Sequence, residues 1–312
     1  IMAQHPIPVV VISSLTTEGT EVAMKALEYG ASEIIGKPSM NPDVFFQESH
    51  IMLCDVVKAA AMSKLKRKNP EEFKQQDEST APKPAVKVEP VKKPVVAAGM
   101  PSVAPMYTAD VVIEKGNTND VIVSTEKVIV LGASTGGTEA IRVLLKTMPA
   151  DMPGIVIVQH MPEGFTKSFS NSLNQISKLD VKEAENGDKV IRGRVLIAPG
   201  NKHMEIRRSG INYYVTLLDG PMVFHQRPAV EILFNSVAKF AGQNAVGAIL
   251  TGMGKDGAQG LLNMRNAGAR TIAQDEATSI VFGMPKEAIQ LGAAEVVKPL
   301  QQITQTILDF CN

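Results

Sequence analysis

The chain has 312 residues, enough for more than one domain, because single domains usually hold roughly 100 to 200 residues. Its 32 basic and 32 acidic side chains give no net charge, and only 4% of its residues are aromatic, so the composition argues against nucleic acid as a partner. The two cysteines lie far apart and no signal peptide or long apolar run is visible, which predicts a cytoplasmic protein without direct membrane insertion.

The first part of the chain alternates strand and helix patterns, as parallel α/β units do. An apolar strand is predicted over residues 7–12, then a helix that ends at Gly30, then a second strand over residues 33–36. A further helical stretch is predicted at about residues 42–66. These elements are too few to bury a complete sheet, so we expect residues 1–63 to form only part of a domain.

The composition changes over residues 64–126. Seven prolines lie between Lys64 and Pro105, together with many lysine and glutamate residues and one aromatic residue, Phe73. Such a segment cannot bury enough apolar surface to offset the entropy lost on ordering. We therefore predict a linker between the first unit and the rest of the chain.

Over residues 127–312, short apolar strands alternate with helical patterns. Strands are predicted at residues 127–132, 154–159, 194–198, 246–250 and 270–273. The segment HMEIRRSGINYYVTLLDG, residues 203–220, predicts an antiparallel hairpin at one edge of the sheet. The predicted fold class is α/β, with a doubly wound, mainly parallel sheet.

Three polar side chains follow three of these predicted strands. Ser134 follows the first strand within a G-x-S-x-G pattern, His160 follows the second, and Asp256 lies in the glycine-rich stretch TGMGKDGAQG after the fourth. In an open parallel sheet, ligands bind beyond the carboxyl ends of the strands. A hydroxyl, an imidazole and a carboxylate are the set required for nucleophilic acyl transfer, because the imidazole takes the hydroxyl proton and the carboxylate holds the imidazole.

Other interpretations remain open from the pattern alone. Ser134 could be a helix N-cap in a phosphate-binding loop, although the G-x-G-x-x-G fingerprint is absent, and the loop is equally compatible with catalysis and with phosphate binding. His160 could be a core histidine, Asp256 could cap the next helix, and Asp275 is an alternative acid. The other histidines, at positions 5, 50, 203 and 225, lack the position at a strand end. An α/β-hydrolase is disfavoured, because its triad follows the chain order serine, acid, histidine.

Six segments together closely resemble the chemotaxis-receptor methylesterases of the CheB family. They are VLGASTGGTEAI, IVIVQHMPEGFTKSF, IAPGNKHM, RPAVEILFNSVA, ILTGMGKDGAQGL and AQDEATSIVFGMPKEAI. The resemblance spans residues 127–300 and implies hydrolysis of glutamate γ-methyl esters on the cytoplasmic domains of chemoreceptors, together with deamidation of glutamines. It implies no cofactor for the esterase.

The resemblance also implies a role for each matching residue. Ser134 matches the nucleophile of the family, His160 the general base and Asp256 the acid. The backbone N–H groups of Thr135 and Met253 match positions that the family associates with stabilisation of the oxyanion.

The first unit resembles the second half of a response-regulator receiver domain, which has a flavodoxin-like fold. Ser13 matches the hydroxyl after the fourth strand of a receiver, and Lys37 matches the lysine after the fifth. The resemblance implies that a chemotaxis histidine kinase is the phosphodonor of the full-length protein, with Mg²⁺ bound only by an intact receiver. The phosphate-accepting aspartate and the acidic pair that binds Mg²⁺ belong to the first half of such a domain, so we expect no phosphorylation of residues 1–63.

Overall fold

The computed structural model describes residues 1–37 except 3 and 15, residues 53–64, and residues 126–312. The predicted linker, apart from its two ends, and most of the predicted helical stretch 42–66 lie outside the described residues. The strands are β1 (Val10–Ser13), β2 (Glu33–Gly36), β3 (Val128–Ala133), β4 (Gly154–Gln159), β5 (Asp180–Glu183), β6 (Lys189–Val190), β7 (Arg194–Ile197), β8 (His203–Ser209), β9 (Asn212–Leu218), β10 (Ala245–Ile249), β11 (Arg270–Gln274) and β12 (Val296–Lys298). The helices are α1 (Thr17–Glu28), α2 (53–62), α3 (Gly137–Thr147), α4 (Phe165–Ile176), α5 (Val230–Phe240), α6 (Ala258–Asn266), α7 (Met284–Gln290) and α8 (Leu300–Cys311).

Within the described part of the chain, seven strands form one sheet in which every pairing is parallel. In spatial order the sheet runs β12-β11-β10-β3-β4-β7-β5. The predicted α/β class with a doubly wound, mainly parallel sheet is confirmed. The chain passes from β3 to β4 on one side and later to β10 on the other side, so the topological switch point lies at β3, where ligands bind in folds of this kind.

The five predicted strands of this sheet lie within one residue of β3, β4, β7, β10 and β11. Three further strands, β5, β6 and β12, were not predicted. Their sequences, DVKE, KV and VVK, are short and carry charged residues, because they lie at sheet edges and are only partly buried. Strands of this kind lack the apolar run by which a buried parallel strand is recognised.

The predicted hairpin forms, but the prediction that it lies at an edge of the main sheet is wrong. Strands β8 and β9 pair antiparallel and, with β6, make a separate three-stranded sheet. The buried side chains of this sheet pack against helix α5 in the same core cluster. Because α5 carries apolar residues almost all around, it is stable only when a second layer covers the side that faces away from the main sheet.

Both faces of the main sheet are covered, as the apolar runs of its central strands require. Along β3, Ile129 and Leu131 pack with helices α3, α4 and α8, whereas Val128 and Val130 pack with α5, α6 and the hairpin. Each residue of β3 is buried. The sheet is therefore a rigid platform for the loops that leave its strands.

The first unit consists of β1 and β2 paired in parallel, with helix α1 between them in the chain. Thr16 caps α1 by accepting a hydrogen bond from the Gly19 N–H at 3.1 Å. The apolar side chains of α1 join the core cluster of α3 and α4, and Ser172 on α4 donates to Glu28 at 2.8 Å. The unit thus packs directly on the main domain. None of the helices that the structure describes is both long and apolar enough to cross a membrane.

Candidate active site

Ser134 and His160 are neighbours because of the register between β3 and β4. Ala133 pairs with Gln159 at the ends of these parallel strands, and the His160 N–H donates to the Ala133 carbonyl at 3.1 Å. Ser134 directly follows β3, and His160 directly follows β4. The Ser134 N–H donates in turn to the Thr251 carbonyl at 3.0 Å, which ties the serine to the loop after β10.

The loop that carries Ser134 makes a tight turn into helix α3. Gly136 is the N-cap of α3 and has a left-handed backbone with φ of 78°, a conformation that favours glycine. The Ser134 carbonyl accepts from the Gly137 N–H at 2.7 Å, and no side chain caps the helix. The alternative in which Ser134 serves as a helix N-cap is therefore wrong. Among the described residues, the Ser134 hydroxyl has no hydrogen-bond partner.

His160 is held by Asp256. Its Nε2 lies 2.7 Å from Asp256 Oδ2, and both side chains are buried. Nδ1 of His160 is buried and has no hydrogen-bond partner among the described residues. Because the carboxylate accepts a hydrogen bond, it favours the imidazole tautomer with the proton on Nε2. Nδ1 then carries the free lone pair and is the nitrogen able to accept a proton.

Asp256 is itself fixed by the start of a helix. Its Oδ2 accepts from the Val230 N–H and its Oδ1 from the Glu231 N–H, each at 2.8 Å. These N–H groups belong to the first turn of α5, where the helix dipole favours a negative charge. Asp256 thus caps a helix that precedes it in the chain, whereas the next helix, α6, has Gly257 as its N-cap and no side-chain cap. The alternative that Asp256 caps a helix is therefore correct, but the helix is α5 and not the next helix in the chain. Asp256 makes these capping bonds and the bond to His160 at the same time.

A second buried carboxylate, Glu231, lies behind Asp256. Burial, and to a lesser extent the negative charge of Asp256, raise the pKa of Glu231 to about 7. Its Oε2 accepts from the Gly257 N–H at 3.1 Å, and its Oε1 accepts from Asn235. The sequence pattern shows Glu231 only as a polar residue in the first turn of a helix, so its contact with the Asp256 loop was not predicted.

Thr135 and Met253 both line the pocket in front of Ser134. The Thr135 carbonyl accepts from the Thr251 hydroxyl at 3.0 Å, which joins the two loops that carry these residues. Neither backbone N–H donates to any residue that the structure describes. Two such N–H groups beside a nucleophile are able to bind a developing oxyanion.

The pocket has a volume of about 490 Å³ and is lined from both units. Residues of β2 and α2 form one wall, and the main domain forms the other with Ser134, His160 and the segment 222–227. The wall from the first unit includes Glu33, whose Oε2 accepts from the Thr135 hydroxyl at 2.9 Å. Burial raises the pKa of Glu33 to about 7, and the bond from Thr135 opposes that rise in part. The sequence gives no sign of this contact, because the two residues are 102 positions apart.

The two receiver-like residues are close together in the first unit. The Ser13 carbonyl accepts from the Lys37 N–H at 2.6 Å, and the Ser13 hydroxyl donates to the Gly19 carbonyl at 2.7 Å. Lys37 also lines the pocket. In the described ranges, no group of three or more His, Cys, Asp and Glu residues is placed to hold a metal ion.

Among the other sequence candidates that the structure describes, none contacts Ser134 or His160 through a hydrogen bond. His203 is buried, with Nε2 2.9 Å from the Pro221 carbonyl and Nδ1 accepting from the Ala229 N–H, and burial lowers its pKa. His225 lines the pocket, and His5 does not. Asp275 accepts from the Thr278 N–H and hydroxyl in a turn, so it is engaged elsewhere. His50 lies outside the described residues.

Together, the fold and these side chains define a class of protein: an α/β domain with a serine, a histidine and a buried aspartate at the switch point of a parallel sheet. Such a set is able to carry out nucleophilic acyl transfer, with the serine as nucleophile and the imidazole as base.

Comparison with known proteins identifies the family. Residues 129–307 match the family described as CheB methylesterase, and the chain belongs to that family. A Geobacter metallireducens protein named protein-glutamate methylesterase/protein-glutamine glutaminase 3 is 52% identical over 100% of this chain and 80% of its own length. A Rhodospirillum rubrum protein named protein-glutamate methylesterase/protein-glutamine glutaminase 2 is 53% identical, with the same coverage.

A solved structure supports the same family. The crystal structure of the Thermotoga maritima CheB methylesterase catalytic domain matches with a TM-score of 0.58 and 38% identity, over 59% of this chain and 98% of that chain. The resemblance drawn from the six sequence segments is confirmed. A phosphate-binding signalling module, the alternative interpretation of the glycine-rich loop, is not favoured.

Proposed function

We propose that the chain hydrolyses glutamate γ-methyl esters on the cytoplasmic domains of chemoreceptors, and that it deamidates glutamine side chains at the same site. The observation that carries the proposal is the bond of 2.7 Å between His160 Nε2 and Asp256, which leaves His160 Nδ1 without a partner among the described residues, directly after the strand that pairs with the one preceding Ser134. The names of the relatives, protein-glutamate methylesterase/protein-glutamine glutaminase, support the two reactions and the glutamate and glutamine side chains on which they act.

In the first half of the reaction, Ser134 Oγ attacks the ester carbonyl carbon and its proton passes to His160 Nδ1. The N–H groups of Thr135 and Met253 bind the oxygen on which negative charge develops. Asp256 stabilises the imidazolium that forms. When the tetrahedral intermediate collapses, the C–O bond to the methoxy group breaks, the imidazolium protonates the leaving oxygen, and methanol departs. The glutamyl group is then bound to Ser134 as an ester.

In the second half of the reaction, water is the nucleophile and Ser134 Oγ is the leaving group. Water attacks the acyl carbon while Nδ1 of His160 takes its proton, and the bond to Ser134 Oγ breaks as that oxygen regains a proton. The product is a glutamate side chain. Deamidation of glutamine follows the same steps, with ammonia in place of methanol.

The test is methanol release from methylated receptor. Ser134→Ala is expected to abolish release while the protein unfolds at nearly the same temperature as the parent. The matched control is Ser170→Ala, which removes a buried serine hydroxyl that donates to the Lys167 carbonyl on α4, away from the pocket. Substantial methanol release by Ser134→Ala would refute the assignment of the nucleophile.

The contact between the two units supports a regulatory role for the first unit. Because residues of β2 and α2 line the same pocket as Ser134, they narrow the space in which a receptor segment can approach the serine. We propose that a receiver domain that contains this unit controls access to the site, with the chemotaxis histidine kinase as phosphodonor and Mg²⁺ bound by the intact receiver.

A further inference from the structure

Gln159 is the last residue of β4 and the one polar side chain in that strand. It is 1% exposed, so its amide is cut off from water. Its Nε2 donates to the Ser134 carbonyl at 2.9 Å and to the His160 carbonyl at 3.1 Å. A single amide group therefore bridges the main chain of the proposed nucleophile and that of the proposed base.

The orientation of the amide follows from its neighbours. Both groups that face Nε2 are carbonyl oxygens, which only accept hydrogen bonds, so the NH₂ end has to lie toward them. Oε1 consequently points elsewhere and has no hydrogen-bond partner among the described residues. A Cβ atom at position 137 would lie 2.2 Å from Oε1, so Gly137 leaves the space that the amide occupies.

The unsatisfied oxygen argues that stability alone does not account for Gln159. A buried amide oxygen without a partner is a net cost to the folded state, and an apolar side chain of similar length would avoid that cost. The two bonds made by Nε2 connect the main chain of Ser134 to that of His160, and so they affect the spacing of the two residues. No direct hydrogen bond between Ser134 Oγ and His160 Nδ1 holds the two side chains together, so their separation depends on the main chain.

We propose that Gln159 is a positioning residue that fixes the distance and angle between Ser134 Oγ and His160 Nδ1 through these two carbonyls. The inference rests on the proposed function and adds a residue to the machinery of the same site. Gln159 does not touch the reacting atoms. It acts on the rate of proton transfer from the serine, because displacements of about 1 Å at a catalytic group are enough to slow a reaction about a hundredfold.

The first test is Gln159→Met in the full chain, which keeps the length of the side chain and removes both donors. We expect kcat for methanol release to fall by roughly 10- to 100-fold, with KM within about twofold of the parent. A small fluorophosphonate, which reacts with an activated serine without any receptor contact, should label Ser134 more slowly by a similar factor.

Thr271→Val is the matched control for stability. The substitution removes a buried hydroxyl that donates to the Ala293 carbonyl and accepts from the Glu295 N–H. Thr271 lies near the start of β11, at the opposite end of the strand from the site. Its thermal unfolding should change about as much as that of Gln159→Met, whereas its kcat and its labelling rate should stay at parent values.

Gln159→Glu gives a second, independent measurement. The site is 1% exposed and faces two carbonyl oxygens, so a carboxyl group there is expected to stay protonated and to keep one O–H donor in place of the two N–H donors. The kcat and the labelling rate of Gln159→Glu should therefore lie between those of the parent and those of Gln159→Met. A role limited to stability predicts parent values of both rates in every variant that folds.

Parent values of kcat and labelling rate in Gln159→Met would overturn the proposal. If the methionine variant does not fold, parent values of kcat and labelling rate in Gln159→Glu overturn it instead. Failure of the parent to release methanol would count against the proposed function, whereas the labelling rates would still decide the role of Gln159.

Discussion

The contact between Glu33 and Thr135 leads to a specific dependence of stability on pH. Glu33 is buried in the native protein, which raises its pKa from 4.5 to about 7. A carboxyl group with a raised pKa binds its proton more tightly in the folded state than in the unfolded state. The stability that it contributes is therefore fully present below pH 4.5 and is lost as the pH rises through about 7.

The size of the effect follows from the two pKa values. The difference between 4.5 and about 7 corresponds to about 3 kcal/mol of lost stability over the whole titration, and about 2 kcal/mol of it falls between pH 5.5 and pH 8.5. Glu33→Gln keeps an oxygen able to accept from the Thr135 hydroxyl and does not titrate. The free energy of unfolding of the parent minus that of Glu33→Gln should accordingly fall by about 2 kcal/mol over this range.

Urea denaturation of both proteins at pH 5.5, 6.5, 7.5 and 8.5 measures this difference. Other groups that titrate in the same range, Glu231 among them, are present in both proteins and cancel in the comparison. If the two stability curves run parallel within about 0.5 kcal/mol from pH 5.5 to pH 8.5, which is well below the expected change, Glu33 is not buried against Thr135 and the reasoning is refuted.

Three further predictions concern the site and its support. Asp256→Asn should lower kcat by roughly a thousandfold or more, because the amide NH₂ can donate to Nε2 of His160 and favours the tautomer with the proton on Nδ1. A steady-state rate near that of the parent would exclude Asp256 as the acid. A protein that begins at about residue 127 should have a kcat/KM on methylated receptor about threefold higher or more, since β2 and α2 no longer line the pocket. An unchanged kcat/KM would show that the first unit does not restrict the substrate. Gly132→Ala should destabilise the fold by about 1 to 3 kcal/mol in thermal unfolding, because its Cβ would lie 2.3 Å from Val230 Cγ1 on α5, and a transition like that of the parent would contradict this close approach.

Much of the site can be predicted from the sequence because its residues follow a single rule about the ends of parallel strands. In a parallel sheet the strand ends share an edge, so residues directly after neighbouring strands meet in space. Ser134 and His160 obey this rule through the pairing of Ala133 with Gln159. The edge strands were missed because partial burial leaves them without an apolar run, and the hairpin was misplaced because its local pattern does not show which layer it covers.

Residues that act across long separations could not be predicted in the same way. Glu33 contacts Thr135 only because α1 packs on α4, and Glu231 contacts the loop after β10 only because α5 starts beside it. Gln159 ends an apolar strand, and that single polar residue was the signal in the sequence. Its two acceptors become apparent only when the paths of both neighbouring loops are known.

The loop that follows β10 makes the site behave as one unit. Thr251 accepts from the Ser134 N–H and donates to the Thr135 carbonyl, Met253 lines the pocket, and Asp256 holds both His160 and the start of α5. A displacement of this loop would move the serine, one oxyanion donor and the acid together. Residues coupled in this way lose their effects non-additively. Asp256→Asn combined with Ser134→Ala should therefore reduce activity no further than Ser134→Ala alone, as measured by residual methanol release. Additive losses would mean that the aspartate also acts outside the serine pathway, for instance by activating water directly.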